Sequence, residues 1–252
     1  MRSTWLILPT YNEADNLEAL VRAALPRLAA ATEPDGHRIL IVDDSSPDGT
    51  GAIAGRLATE LEAVEVLHRS AKDGLGRAYL AGFRRALDAG AELVLEMDSD
   101  FSHDPADIPR LLEATRDADL VLGSRYVEGG GIVNWGLGRR LLSRGGSWYA
   151  RTVLGVAVLD LTGGFKCFRR ETLTALDFAT VHAGGYGFQV ELTYGALIAG
   201  FRVREIPIVF HERRAGASKM TGRIALEAVW KVPALRLRGF RRARLAAGGS
   251  SR

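Results

Sequence analysis

The chain of 252 residues contains one cysteine, Cys167, and no long apolar run. A single thiol excludes an internal disulfide, and we expect Cys167 to be a small buried hydrophobe in a reducing compartment. No apolar stretch approaches the roughly 18 residues that a membrane-spanning helix needs, and we identify no signal peptide. We therefore expect a cytoplasmic protein without a transmembrane segment.

Two nucleotide-binding motifs are also missing. No Gly-x-Gly-x-x-Gly follows the first apolar run, and no Gly-x-x-x-x-Gly-Lys-Ser/Thr occurs anywhere in the chain. These absences argue against a dinucleotide-dependent dehydrogenase and against a P-loop NTPase. A nucleotide that is bound without a glycine-rich loop needs a metal ion and cationic side chains for its phosphates.

Acidic residues are scarce at the carboxyl end. Residues 207–252 contain 11 Lys or Arg against 2 Asp or Glu, so they carry +9 and residues 1–206 carry −6 of the net +3. A basic segment of this kind is attracted to an anionic membrane surface. We expect no nucleic-acid partner, because no recognised nucleic-acid-binding module accompanies the charge.

Short apolar runs alternate with helical patterns along the first half of the chain. Five runs predict strands: Trp5–Leu8, Ile39–Val42, Val64–Leu67, the run that begins at Leu93, and Leu120–Leu122. Helical periodicity occupies the connections, for example at about 52–61 and 75–89. This alternation predicts βαβ units, and therefore an α/β fold with a mostly parallel sheet flanked by helices.

Four of these runs end in polar clusters, which are Pro9-Thr-Tyr-Asn-Glu13, Asp43-Asp44, Asp98-Ser99-Asp100 and Gly123-Ser-Arg125. The carboxyl ends of parallel strands share one edge of the sheet, where open α/β sheets bind ligands. Close carboxylates repel each other unless a cation lies between them, and their hard oxygens suit Mg²⁺ or Mn²⁺. We therefore predict a divalent metal site at Asp98 and Asp100, although helix caps, turns and surface ion pairs would explain each cluster taken alone.

Two basic amphipathic segments follow. A helix at about 138–154 separates one face (Arg139, Arg140, Ser143, Arg144, Ser147, Arg151) from another (Leu141, Leu142, Trp148, Tyr149, Val153). Arginines without carboxylates favour a helix at a lipid interface, while an ordinary surface helix shows the same periodicity. Arg139 and Ser143 lie one turn apart and are suited to bind a phosphate together. Residues 222–245 form a second basic segment, and 246–252 predict a disordered tail.

Five motifs carry a resemblance to a known family. They are Pro9-Thr-Tyr-Asn-Glu13, Val42-Asp-Asp-Ser-Ser-Pro-Asp-Gly-Thr50, Met97-Asp-Ser-Asp-Phe-Ser-His103, Gly123-Ser-Arg-Tyr126 and Gly216-Ala-Ser-Lys219. The motifs occur in the same order as in family 2 glycosyltransferases with a Rossmann-like GT-A fold, and the chain resembles this family. Within it, the chain is most similar to the polyprenyl-phosphate (dolichyl-phosphate) mannosyltransferases. The resemblance implies a GT-A domain over residues 1–221.

The resemblance also implies roles for single residues. It places a nucleotide's base and ribose against Pro9, Tyr11, Glu13, Val42 and Asp44. It places Mg²⁺ or Mn²⁺ and the donor pyrophosphate at Asp98, Ser99, Asp100 and Ser102, with Arg213 and Lys219 in a basic loop that closes on the phosphates. The acceptor phosphate is expected at Arg125, Arg139 and Ser143, so that Asp100, Arg125 and Arg139 are the candidate catalytic residues. One departure is Gly187, which stands where relatives often have lysine.

The resemblance implies an inverting transfer of mannose from GDP-mannose to a polyprenyl monophosphate. The expected location is the inner face of a membrane, to which the protein is bound peripherally or through a membrane-protein partner. Three alternatives remain open on the sequence. They are a UDP-glucose or other UDP-sugar transferase acting on the same lipid, a sugar-1-phosphate nucleotidyltransferase, and a non-catalytic membrane-associated scaffold.

Overall fold

The computed structural model describes residues 3–179, 181, 187–212 and 230–238. The strands in these ranges are β1 (Thr4–Thr10), β2 (His37–Asp43), β3 (Val64–His68), β4 (Leu93–Glu96), β5 (Leu120–Ser124), β6 (Gly131–Ile132), β7 (Lys166–Arg169), β8 (Val203–Pro207) and β9 (Val209–Phe210). The α-helices are α1 (Leu17–Ala30), α2 (Thr50–Glu60), α3 (Leu75–Asp88), α4 (Ile108–Ala114), α5 (Leu137–Leu154), α6 (Arg170–Ala175) and α7 (Gly187–Ile198). Residues 230–238 are also helical.

Seven strands form one sheet in the order β3-β2-β1-β4-β7-β5-β8. β7 runs antiparallel to both of its neighbours, β4 and β5, and the other described pairs of this sheet are parallel. The five strands that the sequence predicts are β1 to β5. The α/β class with a mostly parallel sheet is therefore confirmed. The short strands β6 and β9 pair with each other outside this sheet.

Helices cover both faces of the sheet, which explains why its strands are continuous apolar runs rather than alternating ones. All seven residues of β1 are buried. On one face Tyr79 of α3 stacks with Phe83 of the same helix and with Phe188 of α7, and Phe83 makes an edge-to-face contact with Phe168 of β7. The helices α1, α2 and α4 pack on the opposite face. Cys167 lies in this core as a buried hydrophobe, as predicted, and burial raises the pKa of its thiol.

Local sequence signals mark the start of α2 and the end of α5. The Asp48 side chain accepts hydrogen bonds from the backbone N–H and the hydroxyl of Thr50, the first residue of α2, and so satisfies one of the free N–H groups at the start of that helix. Helix α5 ends at Gly155, whose φ of 70° lies in the left-handed region that glycine tolerates. The predicted helix at about 138–154 is confirmed as α5. Among the described helices none is long and apolar enough to cross a bilayer.

Candidate active site

The acid cluster follows β4 at the carboxyl edge of the sheet. Ser99 Oγ donates a hydrogen bond to the carbonyl oxygen of Pro9 at 3.0 Å, which ties the cluster to the end of β1. The Ser102 N–H donates to Asp100 Oδ1, also at 3.0 Å, across a tight turn in which Phe101 takes a φ of 60°. The turn thus places Asp98 and Asp100 on the same edge as the ends of β1 and β2.

Tyr79 orients the first of the two acids. Tyr79 is a fully buried residue of α3, and its hydroxyl donates a hydrogen bond to Asp98 Oδ1 at 3.0 Å. Burial, and after it the charge of Asp98, raises the pKa of Tyr79 well above its usual value, so the phenol remains a donor at neutral pH. The sequence analysis missed Tyr79, because helical periodicity identifies it only as a core residue.

The donor set around the acids fits a hard divalent cation. The buried hydroxyl Oγ of Ser102 has no hydrogen-bond partner among the described residues, so it is available to bind a metal ion or a water molecule on that ion. In the described part of the chain no three His, Cys, Asp or Glu side chains converge as a complete metal site. Two carboxylates and a hydroxyl suit an ion that takes its other ligands from water and substrate phosphates, as Mg²⁺ commonly does.

His103 is buried directly behind the acids. Its Nε2 lies 4.0 Å from Asp98 Oδ2, and its ring packs against Phe165 and Phe210 with centroid separations of 5.1 Å each. Burial lowers the pKa of His103 to about 4, so the ring is neutral at pH 7. Neither ring nitrogen has a hydrogen-bond partner among the described residues. The sequence left two interpretations of His103 open, a residue that supports the acid cluster or a polar loop residue.

The residues expected to bind the nucleotide meet at the ends of β1 and β2. Pro9 and Val42 lie opposite each other in the β1–β2 register. The Glu13 N–H donates to Thr50 Oγ1, and Asp44 pairs with Arg69 at 2.5 Å. Lys72 lies 3.8 Å above the ring of Tyr11. The structure therefore brings the five predicted residues to one place, while their roles stay predictions.

Arg69 and Lys72 bring positive charge to this end of the site. Both follow β3, a strand to which the sequence analysis assigned no site residue. The signal in the sequence was two basic residues within five positions of the end of the predicted strand Val64–Leu67.

The residues expected to bind the acceptor surround Trp135 and Tyr126. The guanidinium groups of Arg125 and Arg139 lie 5.9 and 4.0 Å from the centre of the Trp135 ring. The Tyr126 hydroxyl donates to Ser143 Oγ at 2.7 Å, and Ser143 is buried. Three predicted acceptor residues from two distant segments are therefore neighbours, and their roles stay predictions.

Arg125 is part of a buried ion pair. Its Nε and Nη2 donate to the two carboxylate oxygens of Asp160 at 2.7 Å each, and Nη2 also donates to Thr162. The Arg125 charge lowers the pKa of Asp160 against the effect of burial. Arg139 is less enclosed, since its side chain is 27% exposed and its carboxylate partner is Glu212 at 3.4 Å. Asp160 was missed as the partner of Arg125. Arg213 and Lys219 lie outside the described residues.

A mostly parallel sheet that helices cover on both faces, with two acids at its carboxyl edge, is the arrangement expected of a GT-A glycosyltransferase fold. The structure is similar to that of glucosyl-3-phosphoglycerate synthase from Mycobacterium tuberculosis, solved with Mn²⁺, UDP-glucose and phosphoglyceric acid, with a TM-score of 0.67. That match is 19% identical and covers 93% of this chain and 80% of the other. The chain belongs to Glycosyl transferase family 2, whose family model matches residues 5–176. It is a glycosyltransferase.

Two curated relatives match nearly the whole chain. An undecaprenyl-phosphate mannosyltransferase of Micrococcus luteus is 49% identical over 226 residues, which cover 90% of each chain. A polyprenol monophosphomannose synthase of Mycolicibacterium smegmatis is 47% identical over 238 residues, which cover 94% of this chain and 88% of the relative. The resemblance to polyprenyl-phosphate mannosyltransferases is thus confirmed at the level of sequence.

Proposed function

We propose that the protein transfers mannose from GDP-mannose to the phosphate of a polyprenyl (dolichyl-type) monophosphate, with inversion at the anomeric carbon. The names of the two relatives support the lipid phosphate and the sugar. One observation carries the proposal: the acid cluster and the arginine pair are linked by packed rings. The ring centroids of His103 and Phe210 are 5.1 Å apart, and those of Phe210 and Trp135 are 5.2 Å apart. A donor phosphate at the acids and an acceptor phosphate at the arginines would therefore be neighbours.

The donor half of the reaction takes place at the acid cluster. Asp98, Asp100 and Ser102 would hold Mg²⁺ or Mn²⁺. A bound divalent ion neutralises charge on a diphosphate leaving group. Tyr79 and the Ser102 N–H hold the two carboxylates in place before the substrate arrives, so little reorganisation is needed during the reaction.

The acceptor half needs cations rather than a strong base. A lipid monophosphate is already ionised near pH 7, so its oxygen attacks without the proton removal that a sugar hydroxyl requires. The repulsion between this anion and the donor diphosphate is the larger obstacle. Arg139, with Arg125 behind it, attracts the acceptor phosphate and aligns it for attack from the side opposite the leaving group.

The surface beside the arginines suits a lipid interface. Four large apolar side chains of α5 are exposed: Leu137, Leu141, Leu142 and Trp148. Trp230 and Leu237 in the helical residues 230–238 are exposed as well. Arg236 donates to the carbonyl oxygen of Val153, which connects this helical segment to α5. We place the enzyme peripherally on the inner face of the membrane with this surface in the lipid headgroups, where arginines meet anionic lipids.

A donor comparison tests this proposal. The full chain in detergent is incubated with polyprenyl monophosphate, Mn²⁺ and labelled GDP-mannose or UDP-glucose, and label in the lipid fraction is counted. We expect labelled lipid from GDP-mannose alone. Labelling from UDP-glucose instead would show that the donor is a UDP-sugar. The absence of labelled lipid with either donor would contradict the proposal that polyprenyl monophosphate is the acceptor.

A further inference from the structure

Three polar side chains meet in the fully buried layer beneath the acid cluster. Glu96 of β4 and Lys166 of β7 are paired in the strand register, with Lys166 Nζ 3.3 Å from Glu96 Oε1. Gln189 of α7 accepts from the same Nζ through its backbone oxygen at 3.2 Å and through its side-chain Oε1. Burial raises the pKa of Glu96 to about 7, although the charge of Lys166 opposes this change.

This contact fixes the direction of the Gln189 amide. An ammonium group has only donors, so the amide must turn its oxygen toward Lys166 and its Nε2 away. Nε2 is buried and has no hydrogen-bond partner among the described residues. The amide lies close enough to Glu96 to lower the pKa of that carboxyl, but among the described residues neither Glu96 oxygen accepts a hydrogen bond of regular geometry. A buried donor without an acceptor is unfavourable, and a bound ligand that accepts a hydrogen bond from it would remove this cost.

The amide Nε2 borders a small space above Gly164. A methyl group on Gly164 would lie 3.5 Å from Gln189 Nε2 and 3.4 Å from Asp98 Oδ2. The backbone of Gly164 is outside the left-handed region, so its conformation does not require glycine. The missing side chain therefore leaves open the space between the orphan amide and the first of the two site acids.

We propose that Gln189 determines donor specificity, by donating a hydrogen bond from Nε2 to a hydroxyl of the donor's hexosyl group seated over Gly164. This inference rests on the proposed function, because Asp98 marks the end of the donor diphosphate to which the hexose is attached. The buried Glu96–Lys166 pair holds the amide and does not touch the sugar. A site built to donate to a hydroxyl discriminates strongly against a ligand that lacks it.

The test compares a nucleotide with and without its sugar. Two variants are titrated with GDP and with GDP-mannose in the presence of Mn²⁺: Gln189→Glu, which keeps an acceptor for Lys166 but removes the donor, and Gly164→Ala, which fills the space. We expect GDP-mannose to bind each variant about 10-fold more weakly and GDP to bind as in the wild type. Thr172→Val, a buried change remote from the site, is the control and leaves both affinities unaltered.

Two results would overturn the inference. If GDP and GDP-mannose bind equally more weakly, the amide contacts the diphosphate or has a structural role. If GDP-mannose binds both variants as it binds the wild type, Gln189 makes no contact with the sugar. The failure of the proposed function is separate, because it appears as absent mannose transfer in the wild type. In that case the same titrations with the donor that the wild type does use decide the role of Gln189.

A set of deoxy donors adds a second readout. Mono-deoxy derivatives of GDP-mannose are titrated into the wild type and into Gln189→Glu. We expect one derivative, which lacks the partner hydroxyl, to bind both proteins with equal affinity. If the ratio of the affinities for the wild type and for Gln189→Glu is the same for every derivative, no hydroxyl pairs with Gln189 and the assignment is wrong.

Discussion

The two acids of the site are held by different neighbours. Tyr79 reaches Asp98 from a buried helix, whereas Asp100 is held by the N–H of Ser102 within its own turn. Asp100 is 4% exposed, while the side chain of Asp98 is 32% exposed. Loss of either acid should therefore affect the bound cation without unfolding the sheet.

Asp100→Ala is expected to reduce mannose transfer by about 100-fold or more, because it removes half of the carboxylate charge that would hold the cation. Initial rates and Mn²⁺ affinity, measured by electron paramagnetic resonance, check this expectation. Asp117→Ala, at an exposed position, is the matched control. Wild-type turnover of Asp100→Ala with Mg²⁺ would refute the metal assignment.

Arg139→Ala is expected to raise the KM for polyprenyl phosphate or to lower turnover by about 10-fold or more, since one charge-assisted contact is worth roughly 1.5–3 kcal/mol. The affinity for GDP should not change, because Arg139 lies over Trp135 and not beside the acids. Arg116→Ala, on a remote exposed pair, serves as the control. An equal loss of GDP binding would contradict an acceptor role.

His103 gives the metal-free protein an acid-sensitive stability. Burial lowers its pKa to about 4 with Arg125 in support, while Asp100 and Asp160 act against it. The unfolded chain takes up the proton below about pH 6.5 and the folded chain only near pH 4, so stability falls as the pH drops through this window, by at most about 3 kcal/mol.

Urea unfolding of the chelator-treated protein between pH 7 and pH 4 measures this loss. His103→Leu should remove most of it, and His68→Leu, which replaces an exposed histidine, should retain it. The same pH slope in His103→Leu as in the wild type would show that another group is responsible.

The sequence predicts site residues where they end a strand and fails where a partner comes from elsewhere. Asp98 and Asp100 were found because they follow an apolar run directly. Tyr79 is 19 positions away on a helix, and nothing in the local pattern indicates its contact with Asp98. The sequence also did not predict the burial of Lys166, because lysine ordinarily lies at the surface and this one is fully buried.

At the level of elements, α5 presents several large apolar side chains outward. Its buried residues are Ser143, Ser147, Ala150 and Leu154, whereas Leu137, Leu141 and Trp148 are among its most exposed. Periodicity correctly predicted two faces. It did not reveal which face packs inward, because this depends on the hydroxyl contacts that Tyr126 and Thr162 make with the serines.

Leu141→Gln together with Leu142→Gln is expected to weaken binding to anionic vesicles by about 10-fold or more, since each buried leucine contributes roughly 1.5–3 kcal/mol. Co-sedimentation of the full chain with vesicles checks this. Ile198→Gln changes an exposed apolar residue at the end of α7, outside α5 and the helical residues 230–238, and should have no effect. Equal binding of the leucine variant and the wild type would remove α5 from the interface.

Strand β7 is the element whose placement the sequence did not indicate. Nothing in the local sequence indicates its insertion between β4 and β5 in the antiparallel direction. The direction of a four-residue strand depends on where the chain returns from α5, which is a tertiary constraint. This insertion places Lys166 opposite Glu96 and Gly164 beside Asp98.

At the scale of the whole molecule, one sheet edge collects the contributions of distant segments. β1 lies between β2 and β4, so the polar residues after these three strands are brought together although they are far apart in the chain. The alternation of strands and helices was sufficient to predict this edge. The arginine and ring cluster beside it depended on contacts between β9, α5 and the segment around Trp135, which no local pattern encodes.

The most direct measurement compares a phosphate acceptor with a neutral one. The purified chain in detergent is given GDP-mannose and Mn²⁺ with either polyprenyl monophosphate or polyprenol, and the lipid products are resolved by mass spectrometry. We expect mannosyl phosphate lipid from the first acceptor and no product from the second, because the site supplies cations for an ionised phosphate rather than a base for an alcohol. Mannosylated polyprenol at a comparable rate would contradict it.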